Sequence, residues 1–215
     1  MLSYLSSAYL APVQYYTKML NGNGVFIEKY EHYVKQSYRN RCTILSANGP
    51  MTLSVPVEHT GAEKCLTKDV RMAEQGNWRH IHQQAIISAY NSSPFFEYYW
   101  DDFRPFYEKK YRFLFDFNEE LRVLICELLG IDISRIRYTD AYRTELPPEI
   151  DDYRNTIHPK KHIADPCFVP RPYYQVFSEK FGFIANLSII DLLFNMGNES
   201  LLVLKGSGKI NFCCP

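Results

Sequence analysis

Ser3-Tyr4-Leu5-Ser6-Ser7-Ala8-Tyr9-Leu10-Ala11-Pro12-Val13-Gln14-Tyr15-Tyr16-Thr17-Lys18-Met19-Leu20-Asn21-Gly22-Asn23-Gly24-Val25-Phe26-Ile27 decides the fold class of this chain. Ser3–Leu10 is rich in residues that suit extended backbone and reads as a first strand. Pro12 stands where a first helical turn can begin, because its fixed φ fits there and its missing N–H is an orphan anyway. Tyr15, Tyr16, Met19 and Leu20 then recur at helical spacing. Asn21-Gly22-Asn23-Gly24 stops that helix, and Val25-Phe26-Ile27 opens a second strand. Strand, short helix and strand in succession form a βαβ unit. Such units present loops and helix N-termini at the carboxyl edge of a sheet, where ligands bind.

Working outward, the clearest hairpin comes next. Cys42-Thr43-Ile44-Leu45 and Met51-Thr52-Leu53-Ser54-Val55 flank Ala47-Asn48-Gly49-Pro50, and Asn-Gly tolerates positive φ. Pro56 ends the second arm. Asp69-Val70-Arg71-Met72 reads as one more short strand. Asn77 is an N-cap type for a helix over Trp78–Tyr90, in which Trp78, Ile81, His82, Ala85, Ile86, Ala89 and Tyr90 share one stripe. Ser92-Ser93-Pro94 breaks it and starts a second helix reaching about Tyr111. Asn118–Leu129 reads as a third, stopped by Gly130, and Arg135–Thr139 as a strand. Six of the twelve prolines (147, 148, 159, 166, 170 and 172) crowd the next segment, which argues for an irregular loop. Tyr173–Leu204 looks like two or three short helices punctuated by Gly182 and Gly197. The expected fold is α/β (or α+β), a mixed β-sheet from the N-terminal half with a βαβ start and a hairpin, covered by helices. Residues 1–140 would form the core domain, 141–172 a proline-rich loop, and 173–215 a helical segment packed on the core.

The 215 residues are 46% hydrophobic and 22% charged, ample for one large core. With 24 basic and 24 acidic side chains there is no basic excess of the kind that duplex binding needs, so no nucleic-acid partner is expected. Met1-Leu2-Ser3-Tyr4 has no basic region leading into an apolar run, and the apolar stretches near Leu187–Phe194 and Leu201–Leu204 fall short of a membrane span. The expected location is cytoplasmic. Cys42, Cys65, Cys126 and Cys167 are scattered, Cys213-Cys214 is a vicinal pair, and no C-x-x-C occurs. Reduced thiols are expected, and no metal site.

Chemistry has three places to reside. His82, on the apolar stripe of its helix, is either a core histidine satisfied by a carbonyl or carboxylate, or a general base lining a pocket. Lys35-Gln36-Ser37-Tyr38-Arg39-Asn40-Arg41 is either a solvated strand edge or an anion clamp made by Lys35, Arg39 and Arg41. The third place is the aromatic segment Phe95–Phe117, with 12 aromatic residues, which forms core or the wall of a ligand pocket. Tyr90, Phe96 and Tyr99 are the wall candidates in and beside it. Asp101-Asp102 diverge on a helix and read as a solvated face. His158, His162, Asp165 and Cys167 have metal-like letters, but Pro159 and Pro166 make their backbone irregular. G-x-S-x-G, H-E-x-x-H and G-x-G-x-x-G are missing, so no cofactor class is indicated.

Several of these segments resemble the WbqC-like family of bacterial proteins. The matching pieces are Ala8–Tyr16, Lys35–Arg41, Asn48-Gly49-Pro50 with Leu53–Val57, Trp78–His82, Ala89-Tyr90 and Ser93–Tyr99, in the expected order. Tyr174–Phe177 and Asn186–Phe194 resemble one branch of that family. The resemblance implies an association with surface-polysaccharide (O-antigen) gene clusters and modification of amino sugars by acyl or aminoacyl transfer. It also matches His82 to the family's Trp-x-x-x-His pattern. Where many relatives carry Gln-Pro before the first aromatic element, this chain has Ser7-Ala8, so no role of that glutamine is carried over to it. Two readings follow. One is a transferase on a nucleotide-linked or lipid-linked sugar, with Lys35, Arg39 and Arg41 as clamp, His82 as base, and Tyr90, Phe96 and Tyr99 as wall. The other is a non-catalytic binding or assembly protein.

Overall fold

The computed structural model describes residues 2–21, 23–58, 65–161 and 163–208. The vicinal Cys213-Cys214 pair and His162 lie outside them, as does Gly22 of the first helix stop. The fold is mixed α/β, as the βαβ and hairpin signals imply. β1 (Leu2–Ser6), α1 (Val13–Asn21) and β2 (Gly24–Glu28) form the βαβ unit, with β1 and β2 parallel and Leu2 opposite Gly24. β1 is shorter than the expected Ser3–Leu10 because the chain turns out of the sheet after Ser6. Leu10 takes a left-handed φ of 41° in that turn. The N-terminal donors of α1, which have no partner within a helix, are satisfied from the other end of the protein: Val13 N donates to Leu187 O at 3.0 Å and Gln14 N to Asn186 Oδ1 at 2.9 Å.

β3 (Arg41–Ser46) and β4 (Gly49–Ser54) are the antiparallel hairpin, turning at Ala47-Asn48, with Gly49 at φ 104°. The segment 69–72 is not a strand. A 3₁₀ turn over Thr67–Asp69 precedes two single bridges, Arg71 to Phe113 and Val57 to Met72, too few contacts to build a ladder. α2 (Trp78–Tyr90) buries Trp78, His82, Ile86, Ala89 and Tyr90, but Ile81 is 56% exposed, so the buried stripe is narrower than the spacing suggests. Asn77 has left-handed φ and makes no side-chain cap. α3 (Phe96–Glu108) and α4 (Leu114–Leu128) follow. α4 begins a turn before Asn118, and Gly130 lies past its end at φ 66° with its N–H on Glu127 O.

The sheet is completed from later in the chain. β5 (Ile136–Tyr138) pairs in parallel with β2, and β6 (Ile150–Asp152) pairs in parallel with β1, giving the order β5-β2-β1-β6. β6 lies inside the proline-rich segment. α5 (Ser178–Phe181), α6 (Ile189–Met196) and α7 (Ser200–Ser207) close the chain, with α7 and α6 packing on α1 and α6 also on β3. Gly197 between α6 and α7 has φ 53°, and a Cβ there would lie 2.6 Å from the Phe95 ring.

One buried carboxylate joins these pieces. Asp191 on α6 accepts from Tyr90 Oη on α2 (2.9 Å), Tyr173 Oη (2.7 Å) and Gln175 Nε2 (2.9 Å). Burial pushes its pKa up to about 6, although the three hydrogen bonds oppose the rise. A carboxyl raised in the fold contributes most below its unfolded pKa and loses that contribution as pH rises through the folded value. Relative to Asp191→Asn, the wild type therefore loses roughly 3 kcal/mol between pH 4 and pH 7. Denaturant unfolding at several pH values reads this gap, and a gap that widens in favour of wild type with rising pH contradicts it.

Candidate ligand site at the carboxyl edge of the sheet

Parallel strands bring their carboxyl ends to one edge, and here that edge is polar. Ser6 ends β1, Glu28 ends β2, Tyr138 ends β5 and Asp152 ends β6. Two buried arginines organise it. Arg39, 4% exposed, donates from Nε to Glu31 Oε1 (2.8 Å) and from Nη2 to Glu31 Oε2 and Ser6 Oγ (2.9 Å). Its Nη1 has no protein partner among the described residues. Arg154 grips Asp152 with Nε (2.9 Å) and Nη2 (2.7 Å), and reaches Glu28 Oε2 from Nη1 (3.2 Å). Burial pushes the Asp152 carboxyl up, but Arg154 outweighs it and holds the group below its usual range.

Between the two arginines lies a cavity walled by Ser6, Ser7, Tyr15, Tyr38, Tyr153 and Ile157, together with Arg39 and Arg154 themselves. It encloses about 270 Å³ of empty space including its mouth, of which about 10 Å³ admits the centre of a water molecule. As built, it has room for about one water. Tyr15 Oη donates to Ser6 O (2.9 Å), fixing the turn that forms one wall. Burial raises the Tyr38 phenol to about 12, so it stays protonated as a donor.

The rim is basic. The segment after β6 folds over the loop 35–41, where Lys160 Nζ donates to Gln36 Oε1. His158 Nδ1 accepts backbone N–H groups from Lys160 (3.1 Å) and Lys161 (3.2 Å), which leaves the ring proton on Nε2. Partial burial, and then the charges of Lys161, Arg39, Lys160 and Arg41, lower the His158 pKa. Arg41, half-buried, starts β3 with a buried Nε that lacks a partner among the described residues.

The sequence candidates therefore part company. Arg39 is in the cavity wall and Arg41 is near its rim, whereas Lys35 is exposed to solvent. Tyr90, Phe96 and Tyr99 are all buried in the core. Tyr90 binds Asp191, Phe96 packs on Phe194 and Trp100, and Tyr99 Oη reaches Asn198 at 3.4 Å. None of the three lines this cavity. His82 is 3% exposed among Trp78, Tyr9 and Tyr107, with Nδ1 2.9 Å from Tyr9 Oη and a further bond to the Ser54 backbone. It too stands outside the cavity wall, though Tyr9 links the two, since Tyr9 N donates to Tyr38 O (2.9 Å). Asp165 is taken by Lys18 at 2.6 Å and by Gln14, and no group of His, Cys, Asp or Glu suited to a metal occurs among the described residues. No described helix is long and apolar enough to cross a membrane. Ser6, Ser7, Glu31, Tyr153 and Arg154 escaped the sequence reading. The one available signal was the βαβ unit itself, which marks Ser6-Ser7 as the end of its first strand.

The model of the WbqC-like protein family matches residues 7–150, two thirds of the chain. The chain belongs to the WbqC-like family. Within the matched span lie Ser7, Tyr15, Tyr38 and Arg39 of the cavity and all of α1 to α4; Tyr153, Arg154 and the basic rim after it lie just beyond. No curated protein and no solved structure matches.

His82 supplies a test of its own. Burial lowers its pKa to about 4 from 6.5. A depressed histidine contributes stability above its unfolded pKa and loses it as pH falls through the folded value. Relative to His82→Gln, the wild type of this WbqC-like protein loses up to roughly 3 kcal/mol between pH 6.5 and pH 4. An NMR titration placing the His82 midpoint between pH 6 and 7 contradicts a buried neutral ring.

Proposed function

We propose that this protein is a cytoplasmic transferase of surface-polysaccharide biosynthesis, adding an acyl or aminoacyl group to an amino sugar whose carrier phosphate sits in the sheet-edge cavity. The observation that carries the reading is the Nη1 of Arg39, which has no partner among the described residues. A guanidinium buried on one side by Glu31 and Ser6 is held rigidly, so its remaining N–H groups meet an anion at little further entropic cost. The Tyr38 phenol supplies a neutral polar group beside it, while the hydroxyls of Ser6 and Ser7 are held by Glu31 and Glu119 and line the wall. In this reading Arg39 and Arg41 keep the ligand-binding role, and Lys35 acts only through its charge. His82 becomes a positioning residue, holding Tyr9 and through it the Tyr38 wall. Tyr90, Phe96 and Tyr99 hold the core on which the sheet edge is mounted.

Thermal unfolding against nucleotide sugars, acyl-coenzyme A esters and free amino acids tests this. A ligand that binds only the folded state stabilises it by about 2.7 kcal/mol at a hundredfold excess over Kd. For a chain of this size that raises Tm by roughly 5–10 °C. A shift with nucleotide sugars and with one donor class supports the transferase. A flat response across the panel overturns it and favours a non-catalytic binding or assembly protein.

A further inference from the structure

We infer that the sheet-edge site is built for a diphosphate ester: Arg39 receives one phosphoryl group inside the cavity, and Arg41, His158, Lys160 and Lys161 receive the second at its rim. The inference rests on the anion site proposed above and specifies what that site selects.

The charge count separates the two tiers. Inside, the guanidinium groups of Arg39 and Arg154 face the carboxylates of Glu31, Glu28 and Asp152 at hydrogen-bonding distance. That tier sets two guanidinium groups against three carboxylates, so it offers an anion a hydrogen-bond donor and no net attraction. Arg39 Nη1 can orient a phosphoryl oxygen there but cannot by itself balance a dianion. The positive excess is at the rim. Lys160 is bound to the neutral amide oxygen of Gln36 and forms no ion pair among the described residues, and Lys161 is exposed. Arg41 has a buried Nε with no acceptor among the described residues. His158, fixed by two backbone N–H groups on Nδ1, presents Nε2–H as a donor. The same four cationic residues, Arg39, Arg41, Lys160 and Lys161, all disfavour the charged form of His158, so inner and outer tiers lie within electrostatic reach of one ring. One donor inside and several cations outside match a group whose negative charge extends over two phosphorus centres. A lone phosphate or carboxylate leaves one tier unused.

Steric room sets the condition for entry. The cavity admits about one water centre, so a phosphoryl group enters only when the Tyr153 and Ile157 side chains swing aside and the segment after Arg154 lifts, Arg154 itself staying on Glu28 and Asp152. That segment continues directly into His158, Lys160 and Lys161. Opening the inner tier and setting the outer one are a single movement.

Titration calorimetry of the full chain at fixed ionic strength tests the inference, with inorganic phosphate, inorganic pyrophosphate, uridine diphosphate and farnesyl diphosphate as probes. Pyrophosphate is expected to bind at least about tenfold more tightly than phosphate, since a second charge-assisted contact is added. Lys160→Gln/Lys161→Gln, which alters two exposed side chains, should bring the two probes within about threefold while phosphate binding persists. Tighter binding of uridine diphosphate than of farnesyl diphosphate assigns a nucleotide carrier, and the reverse order assigns a lipid one. Hydrogen exchange over residues 155–161 should slow with pyrophosphate. Equal affinity for phosphate and pyrophosphate, or a preference that survives the double substitution, overturns the diphosphate inference and leaves the anion site standing. Binding of neither probe removes both.

Discussion

The buried pairing of Arg39 with Glu31, shared with Ser6, is the constraint around which the carboxyl edge of the sheet is arranged. Two ions taken out of water need nearly all their hydrogen-bonding capacity met, and removing one partner of such a pair costs about 3–5 kcal/mol. Satisfying them fixes the loop 31–39 against the end of β1. Arg154 repeats the device from the opposite side with Asp152 and Glu28, and Ser6 Oγ touches both systems, since it also donates to the Arg154 carbonyl at 3.2 Å. The carboxyl edge of the sheet is thus a rigid, largely self-neutralised polar floor. Preorganisation of this kind lowers the cost of ordering a ligand.

The same pairings explain why the proline-rich segment is not a loose wrapping. Ile150–Asp152 pairs with β1, Arg154 is drawn into the sheet edge, and Asp165 is buried against Lys18 and Gln14 of α1. Prolines leave the backbone without regular structure of its own, so this segment takes its path from ion pairs and single hydrogen bonds to the βαβ unit. The C-terminal helices are tied in comparably, through Asn186 and Leu187 on the N-terminus of α1 and through Asp191 on Tyr90.

What was legible in the sequence follows from whether the signal was local. The βαβ unit, the Asn-Gly hairpin, the Gly130 stop and the strand at Arg135–Thr139 each rest on neighbouring residues, and each has its counterpart in the structure. β6 was not legible because Ile150-Asp151-Asp152 has weak β propensity and forms only by pairing with a distant partner. The basic run 35–41 was visible, but its division into Arg39 in the wall and Lys35 in solvent depends on Glu31 and Ser6 across the fold. Aromatic density near Phe95–Phe117 announced a large buried surface and could not say which rings would face a ligand. Tyr90, Phe96 and Tyr99 went to the core because their hydroxyls and edges find partners on α6 and in the 197–199 turn after it. His82 is buried in the same core, where Tyr9 and a carbonyl meet its nitrogens.

The account turns on the sheet edge, rather than the aromatic core, being where this WbqC-like protein meets its ligand. A crystal structure with tungstate, a heavy phosphate analogue, located by its anomalous signal, tests that most directly. The account predicts a tungstate bound to Arg39 Nη1 and to the rim of His158, Lys160 and Lys161, with residues 155–161 displaced to admit it. Tungstate bound elsewhere with the sheet-edge cavity closed, or none bound at all, contradicts it.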